Sequence, residues 1–262
     1  MQYKQFDIPP ALKDKVHSFW TLEDDGSGTM PKVFRTIADG RPGLIFQHSD
    51  SGTMYKAGKK LPPLFLYGAT TKHSLITLEG NFKTTGVFFS PLVLKTVFGL
   101  DASLLTDDCM DGADIHQAGR QRLLEQLLNS NTGAQQVDML SGFLSGAVKG
   151  DVPSRDKVEY AVSRIMAKRG NITIEELTRD IYVTERSLER AFKAFVGMSP
   201  KLFIRISRFR AAMGQLNNSD YGRLTDIAFA HDYADQSHFT RTFREFTGFS
   251  PRQYLRQSGE VA

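Results

Sequence analysis

The 262-residue chain carries 33 Lys and Arg against 29 Asp and Glu, a formal charge of +4, with 40% hydrophobic and 24% charged residues. That composition excludes wholesale disorder and leaves room for two domains, each with its own core. No apolar run reaches the roughly 18 residues of a membrane helix, the N-terminal MQYKQFDIPPALKDKV lacks the apolar core of a secretory signal, and the single Cys109 excludes a disulfide framework or a multi-cysteine zinc site. A cytoplasmic protein is expected.

The first stretch reads as β-rich. Gly43–Gln47, Leu64–Tyr67, Ser74–Leu78 and Thr85–Phe89 are short and rich in β-branched and aromatic residues. Asp39-Gly40, Ser51-Gly52 and Gly80-Asn81 punctuate them as turns. Several short strands at this spacing suggest a sandwich or barrel. After Pro91, Leu92, Val93, Val97 and Phe98 share one face of a short helix.

Helical spacing then takes over. Ile115, Leu123, Leu124, Leu127 and Leu128 predict a helix of about four turns, with Asp114 as N-cap. Val137, Leu140, Phe143, Leu144 and Val148 predict a second. These two helices either pack within the chain or offer an apolar face to another subunit. Lys149–Ser154, with Gly150 and Pro153, reads as a linker. From Arg155 onward only helical signals occur. The expected domains are therefore 1–150, with a helical extension over about 113–150, and 151–262.

Charge divides along the same line. Residues 1–150 hold 15 basic and 15 acidic residues, whereas residues 151–262 hold 18 and 14. The first part has 11 Lys and 4 Arg, the second 4 Lys and 14 Arg. Arg presents a planar fork suited to phosphates and guanine edges. A solvated, ion-paired helical surface is the alternative.

The C-terminal part repeats itself at an offset of 51 residues. Thr184–Arg205 (TERSLERAFKAFVGMSPKLFIR) aligns with Asp235–Arg256 (DQSHFTRTFREFTGFSPRQYLR). Thr184 and Asp235 are N-caps, Leu188/Phe192/Phe195 and Phe239/Phe243/Phe246 form one buried stripe each, and Gly197 and Gly248 stop the helices. Ser199-Pro200 and Ser250-Pro251 then start new ones. Shorter helices precede each copy, Ile174–Asp180 and Leu224–His231, joined by the short turns Ile181-Tyr182-Val183 and Asp232-Tyr233-Ala234. That is a helix-turn-helix layout, twice. The stripes leave Arg186, Ser187, Glu189 and Arg190 exposed in the first copy, and Gln236, Ser237, His238, Thr240 and Arg241 in the second. Most of these side chains can read base edges in a major groove.

Leu224–Tyr254 (LTDIAFAHDYADQSHFTRTFREFTGFSPRQY) closely resembles the signature of the AraC/XylS family of bacterial transcription regulators. Ile227-Ala228, Tyr233, Asp235, Ser237, Phe239, Arg241, Phe243, Gly248, Ser250-Pro251 and Tyr254 carry the match. The resemblance covers about residues 155–260. It implies an all-α double helix-turn-helix joined by a long helix, here Pro200–Leu216, with the second helix of each unit in the major groove. Where the family has Gly in the turn, this chain has Tyr182 and Asp232. Tyr tolerates a left-handed backbone poorly, so an altered first turn is expected. Phe19-Trp20, Ala38-Asp39-Gly40 with Leu44-Ile45-Phe46, and Gly86–Pro91 resemble an uncharacterised sensor-like domain that precedes such modules. That resemblance covers about residues 1–112 and implies a cupin-like β-barrel. The expected fold class is thus α+β, with a β-rich barrel, linker helices and an all-α double helix-turn-helix.

Other chemistry is weak. His17, His48, His73 and His116 are too scattered for a cupin metal site, and no metal or cofactor is expected. Cys109 lies among Asp107, Asp108 and Asp111, which would raise its pKa. Gly58-Lys59-Lys60 has the wrong spacing for a phosphate loop, and Asn171-Ile172-Thr173 carries no meaning in a cytosolic chain. Trp20 is expected in the core rather than against a ligand, and Arg35, Arg41 and Asp39 in surface ion pairs rather than as ligand anchors. The expected function is a sequence-specific DNA-binding transcription regulator, not an enzyme, modulated by a small effector at an unassigned site or by dimerisation. Arg190 and Arg241 are the chosen base or phosphate contacts, with Arg186, Ser187, Gln236, Ser237 and His238 beside them; Lys193 and Arg244, with Arg205 and Arg256, hold the backbone or pack locally. Double-stranded DNA is the first partner expected, with a small effector, a second copy of the chain and RNA polymerase beyond it. The alternatives are a small-molecule-binding or catalytic barrel whose helical tail serves assembly, and a DNA-binding protein without effector.

Overall fold

The computed structural model describes residues 2–24, 31–48, 52–115, 120–146 and 155–259. Among them the N-terminal part forms ten strands: β1 Gln2–Phe6, β2 Val16–Asp24, β3 Lys32–Thr36, β4 Gly43–Gln47, β5 Thr53–Lys56, β6 Lys59–Lys60, β7 Leu64–Tyr67, β8 Ser74–Glu79, β9 Phe82–Phe89 and β10 Cys109–Asp111. Every pairing is antiparallel. One sheet runs β1-β2-β9-β4-β7-β10 and the other β3-β8-β5-β6.

The period of two assigns the faces of the larger sheet. Phe19, Leu44, Phe46, Leu64, Leu66, Val87 and Phe89 point one way, into a core shared with the helices that follow. Trp20, Ile45, Phe65, Tyr67 and Phe88 occupy the alternate positions and face the smaller sheet, where Met54 and Leu78 meet Phe65 and Phe82. The central strands are buried on both faces where they pair, at Phe19–Thr21 of β2 and Thr84–Val87 of β9, so small polar Thr side chains stand beside the apolar ones.

Three helices cover the outer face: α1 Val93–Thr96, α2 Arg120–Leu128 and α3 Gly133–Gly146. The expected four-turn helix is shorter than its apolar spacing suggests. Asp111, not Asp114, caps a 3-10 turn at Gly112–Asp114 by accepting from the Ala113 amide, and Ile115 is extended. The apolar side of Ile115 belongs to the sheet core, which mimicked helical periodicity at the sequence level. Leu123 and Leu127 of α2, with Val137, Leu140 and Leu144 of α3, are buried in that same core, so their apolar faces are covered within the chain. His116, Val148 and the linker 149–154 lie outside the described residues.

The C-terminal part is all helix: α4 Arg155–Ala167, α5 Ile174–Ile181, α6 Glu185–Val196, α7 Pro200–Asn217, α8 Leu224–Ala230, α9 Gln236–Thr247 and α10 Pro251–Gly259. Phe192, Phe209, Phe239, Phe243 and Phe246 are fully buried in one core, each worth roughly 2–3 kcal/mol of transfer free energy. Phe209 of α7 meets Phe243 and Phe246 of α9 edge-on or tilted at 5.4 and 5.2 Å, while Phe203 of α7 meets Phe192 of α6 at 5.5 Å. The long helix is therefore the spine against which both units pack.

Candidate nucleic-acid interface and the adjoining cavity

Each unit is assembled by local rules. In the first, Thr173 and Glu176 form a reciprocal capping box at the start of α5. Thr184 caps α6 by accepting from the Ser187 amide at 3.2 Å, and Asp235 caps α9 by accepting from the His238 amide at 2.7 Å. Gly197 and Gly248 end these helices in left-handed backbone, at φ 88° and 80°. Ser199 then caps α7, and the Ser250 hydroxyl receives the Gln253 amide at the start of α10.

The first turn is not altered. Tyr182 adopts φ 53° and ψ 53° and is 91% exposed, so the left-handed turn survives without glycine and the ring projects into solvent. Asp232 adopts the same φ, 52°, in the second unit. The fixed geometry is the turn, and the chain accepts local strain of roughly 1–2 kcal/mol to keep it.

The solvent faces of α6 and α9 carry only some of the side chains expected to be exposed there. Arg186, Arg190 and Lys193 on α6, and Ser237, Arg241 and Arg244 on α9, are exposed, while Ser187 and Gln236 are partly buried. His238 differs from its neighbours. Its Nδ1 accepts from the Ala234 amide at 3.4 Å and its ring lies edge-on to Tyr233 at 5.3 Å, so it braces the turn. Arg205 pairs with Glu245 at 2.6 Å and covers the Phe246 ring, and Arg256 Nε reaches the Arg252 carbonyl; both pack locally. The Tyr233 hydroxyl is buried, which pushes its pKa up to about 12.

Both α6 and α9 end against the β-domain. Behind α6, the Thr106 hydroxyl donates to the Gly197 carbonyl at 2.5 Å, and a Cβ at Gly197 would lie 2.9 Å from the Ala102 carbonyl. Behind α9, the Ala38 amide donates to the Phe246 carbonyl at 3.0 Å, and the Arg35 guanidinium lies 4.4 Å over the Phe249 ring. Arg35 and Asp39 are not the surface ion pairs expected of them. Arg35 is shared between Phe249 and His73 Nδ1, at 3.1 Å from the latter. Asp39 accepts from the Arg41 amide and the Thr70 hydroxyl, deep in the junction. Burial raises the Asp39 carboxyl to about 6, against the opposing pull of the Thr70 bond and of Arg210 on α7.

Asp39 also borders a cavity of about 440 Å³ between the two sheets, lined by Trp20, Phe34, Phe65 and Phe88 among others. This site was missed in the sequence, where Trp20 reads only as core. Trp20 does pack, between Tyr3 and Phe88 at 6.3 and 5.7 Å, yet one side of it faces the cavity. The missed signal was Gly86 inside a strand: a Cβ there would stand 2.3 Å from the Trp20 ring. Cys109 borders the same space, its thiol raised by burial and by Asp108 against the opposing Lys56, which is unlike a nucleophile.

Two helix-turn-helix units on a common spine are thus backed by two antiparallel sheets with a cavity between them. Residues 177–257 match the family described as a helix-turn-helix domain, and residues 4–111 match a domain of unknown function, DUF6597. The C-terminal region is thus a helix-turn-helix domain. The chain is 35% identical over 77 residues to the HTH-type transcriptional activator RhaS of Escherichia fergusonii, covering 29% of this chain and 27% of that protein. Against RhaS of Klebsiella pneumoniae it is 33% identical over 87 residues, 33% of this chain and 31% of the relative. These alignments span about a third or less of either relative. A longer one, to RhaS of Salmonella heidelberg, is 25% identical over 218 residues and covers 83% of this chain and 73% of the relative. A solved structure of ToxT from Vibrio cholerae covers 86% of this chain and 97% of its own, at 11% identity and a TM-score of 0.49. No described helix is long and apolar enough to cross a membrane.

Proposed function

We propose that the chain is a sequence-specific DNA-binding transcription regulator, not an enzyme, that reads two successive major grooves with α6 and α9 and is modulated through its β-domain. The observation that carries this reading is the duplication itself: two N-capped, glycine-terminated helices on one spine, each with an exposed Arg face. Units fixed to one spine would engage one side of the duplex about one turn, or 34 Å, apart. Arg190 and Arg241 make base or phosphate contacts, Arg186, Ser187, Gln236 and Ser237 line the same grooves, and Lys193 and Arg244 hold the backbone. His238 serves mainly to set the α9 start.

The RhaS relatives support the regulator reading, since their names are those of transcriptional activators. The cavity beside the junction supports a small-molecule effector, bound in residues 1–150 and sensed by 151–262. A second copy of the chain and RNA polymerase are the further partners of this reading. The test is selection of bound fragments from genomic DNA by the purified full chain, followed by footprinting. A protected site about two helical turns long supports it; absence of any preferred sequence would refute it. The modest charge makes paired contacts matter more than bulk attraction, so log affinity should fall against log salt with a slope shallower than about −6.

A further inference from the structure

The turn of the first helix-turn-helix unit presents an aromatic side chain to solvent at a cost to the fold. Tyr182 lies between α5 and α6 at φ 53° and ψ 53°, left-handed backbone that disfavours a residue with a Cβ. Glycine would hold the same turn without that cost. The side chain returns nothing in exchange: it is 91% exposed, and among the described residues neither its ring nor its hydroxyl has a partner. Strain sustained with no internal gain points to a partner outside the chain.

The surroundings indicate which partner. Arg179, three residues earlier on α5, and Arg186 and Arg190 on α6 are exposed and make no ion pair among the described residues. Asp180 is turned to α4, where it faces Arg164 at 3.6 Å and the Tyr160 hydroxyl at 3.4 Å, and Glu176 accepts from the Thr173 amide at 2.7 Å. Glu185 and Glu189 fall beside the buried Phe192 and Val196 in helical projection, whereas Arg186 and Arg190 fall away from them. The charge left unmatched around the turn is therefore positive. In a helix-turn-helix the first helix crosses the DNA backbone and the N-terminal end of the second enters the groove. The turn that joins them stands at the lip of the groove, beside the phosphates. A phenolic hydroxyl there can donate to a phosphate oxygen, and a charged acceptor strengthens such a bond. The second unit carries Asp232 at this place, exposed and at φ 52°, and a carboxylate repels a phosphate.

Resting on the DNA-binding reading above, we infer that Tyr182 is a DNA-backbone contact of the first unit alone: its hydroxyl donates to a phosphate at the edge of the groove that α6 enters, with the Arg179 charge beside it. The contact sets how the first unit is placed on the duplex and carries no sequence information of its own.

Fluorescence anisotropy on the DNA fragment selected by the full wild-type chain reads the effect. Tyr182→Phe, which removes only the hydroxyl, should weaken binding by about fivefold. Tyr182→Gly should weaken it by about tenfold while raising the melting temperature, opposite signs that a purely structural role would not give. Both variants should keep the wild-type order of preference among single-base-pair changes in the fragment. Arg179→Ala should make the salt slope shallower by about 1. Ethylating the phosphates one at a time should find one whose modification weakens the wild type but not Tyr182→Phe. Wild-type affinity in both Tyr182 variants, a loss confined to one base pair, or the lack of such a phosphate overturns the inference, and an unchanged salt slope removes Arg179 from it. Those outcomes leave the regulator reading intact, whereas a wild-type chain that selects no fragment overturns that reading and this inference together.

Discussion

The two helix-turn-helix units share a blueprint but not their supports. The first has a full capping box at α5 and a turn that forces Tyr182 into left-handed backbone. The second starts α8 at Arg223, whose side chain makes no capping bond, and braces its turn with Tyr233 and His238. A Cβ at Gly197, the stop of α6, would meet the Ala102 carbonyl and the Thr106 hydroxyl, whereas one at Gly248, the stop of α9, would meet the ends of the Arg35 and His73 side chains. At its glycine stop the first unit thus abuts main chain, which is rigid, and the second only side chains, which can adjust. Identical repeats need not respond identically to the domain behind them.

Substitutions at matched positions test that difference, beginning with the largest effect. Gly197→Ala places a methyl group against the Ala102 carbonyl as well as straining φ, and should cost about 2–3 kcal/mol in denaturant unfolding. Gly248→Ala meets Arg35 Nη1 instead, which can move, and should cost about 1–2 kcal/mol. Equal losses would remove the distinction between rigid and adjustable support.

On DNA, Arg241→Ala is expected to lose about 1–3 kcal/mol and to relax preference at one base pair of the selected site. Arg190→Ala should act within the same range at a position about one helical turn away. Unchanged affinity for either variant on the selected fragment would unseat that residue from the reading face.

Smaller effects come from the turns and the junction. Tyr182→Gly should stabilise by about 1 kcal/mol in thermal unfolding, and Asp232→Gly by less, because Asp tolerates the left-handed region better. The Asp39 carboxyl has its pKa raised, so the folded state binds more protons than the unfolded chain between about pH 4 and 6. Its contribution is favourable at low pH and is lost as pH rises through about 6. Relative to wild type, Asp39→Asn should therefore gain about 1 kcal/mol on going from pH 5 to pH 7, the Thr70 hydrogen bond and the Arg210 charge being the groups that oppose the rise. Parallel stability curves for the two proteins would contradict this.

Much of the C-terminal domain was legible because its rules are local. From cap through Phe stripe to glycine stop, each feature lies within four residues of the next, and the repeat displays each of them twice. The N-terminal sheets were legible only in part. β2 is buried on both faces and carries a register irregularity between Val16 and Ser18, so it shows no clean alternation, and β1 is a polar edge. Asp39 and Arg35 looked like surface charges because nothing near them in sequence reveals Phe246 or Phe249. The cavity arises from pairing strands far apart in the chain, such as Trp20 opposite Gly86, and a linear pattern records neither partner's dependence on the other.

The seam at Ala38 and Thr106 also bears on how such chains can be recombined. Each segment answers a main-chain carbonyl of the other half, Phe246 and Gly197 respectively. The Ala38 amide is matched by position alone and the Thr106 contact also needs a hydroxyl, so a foreign β-domain spliced at the linker would fit only if its two loops arrived at the same places with that hydroxyl in hand. A hybrid of this helical half would need residues 35–40 and 102–106 carried across with it, making the transferable unit larger than either domain.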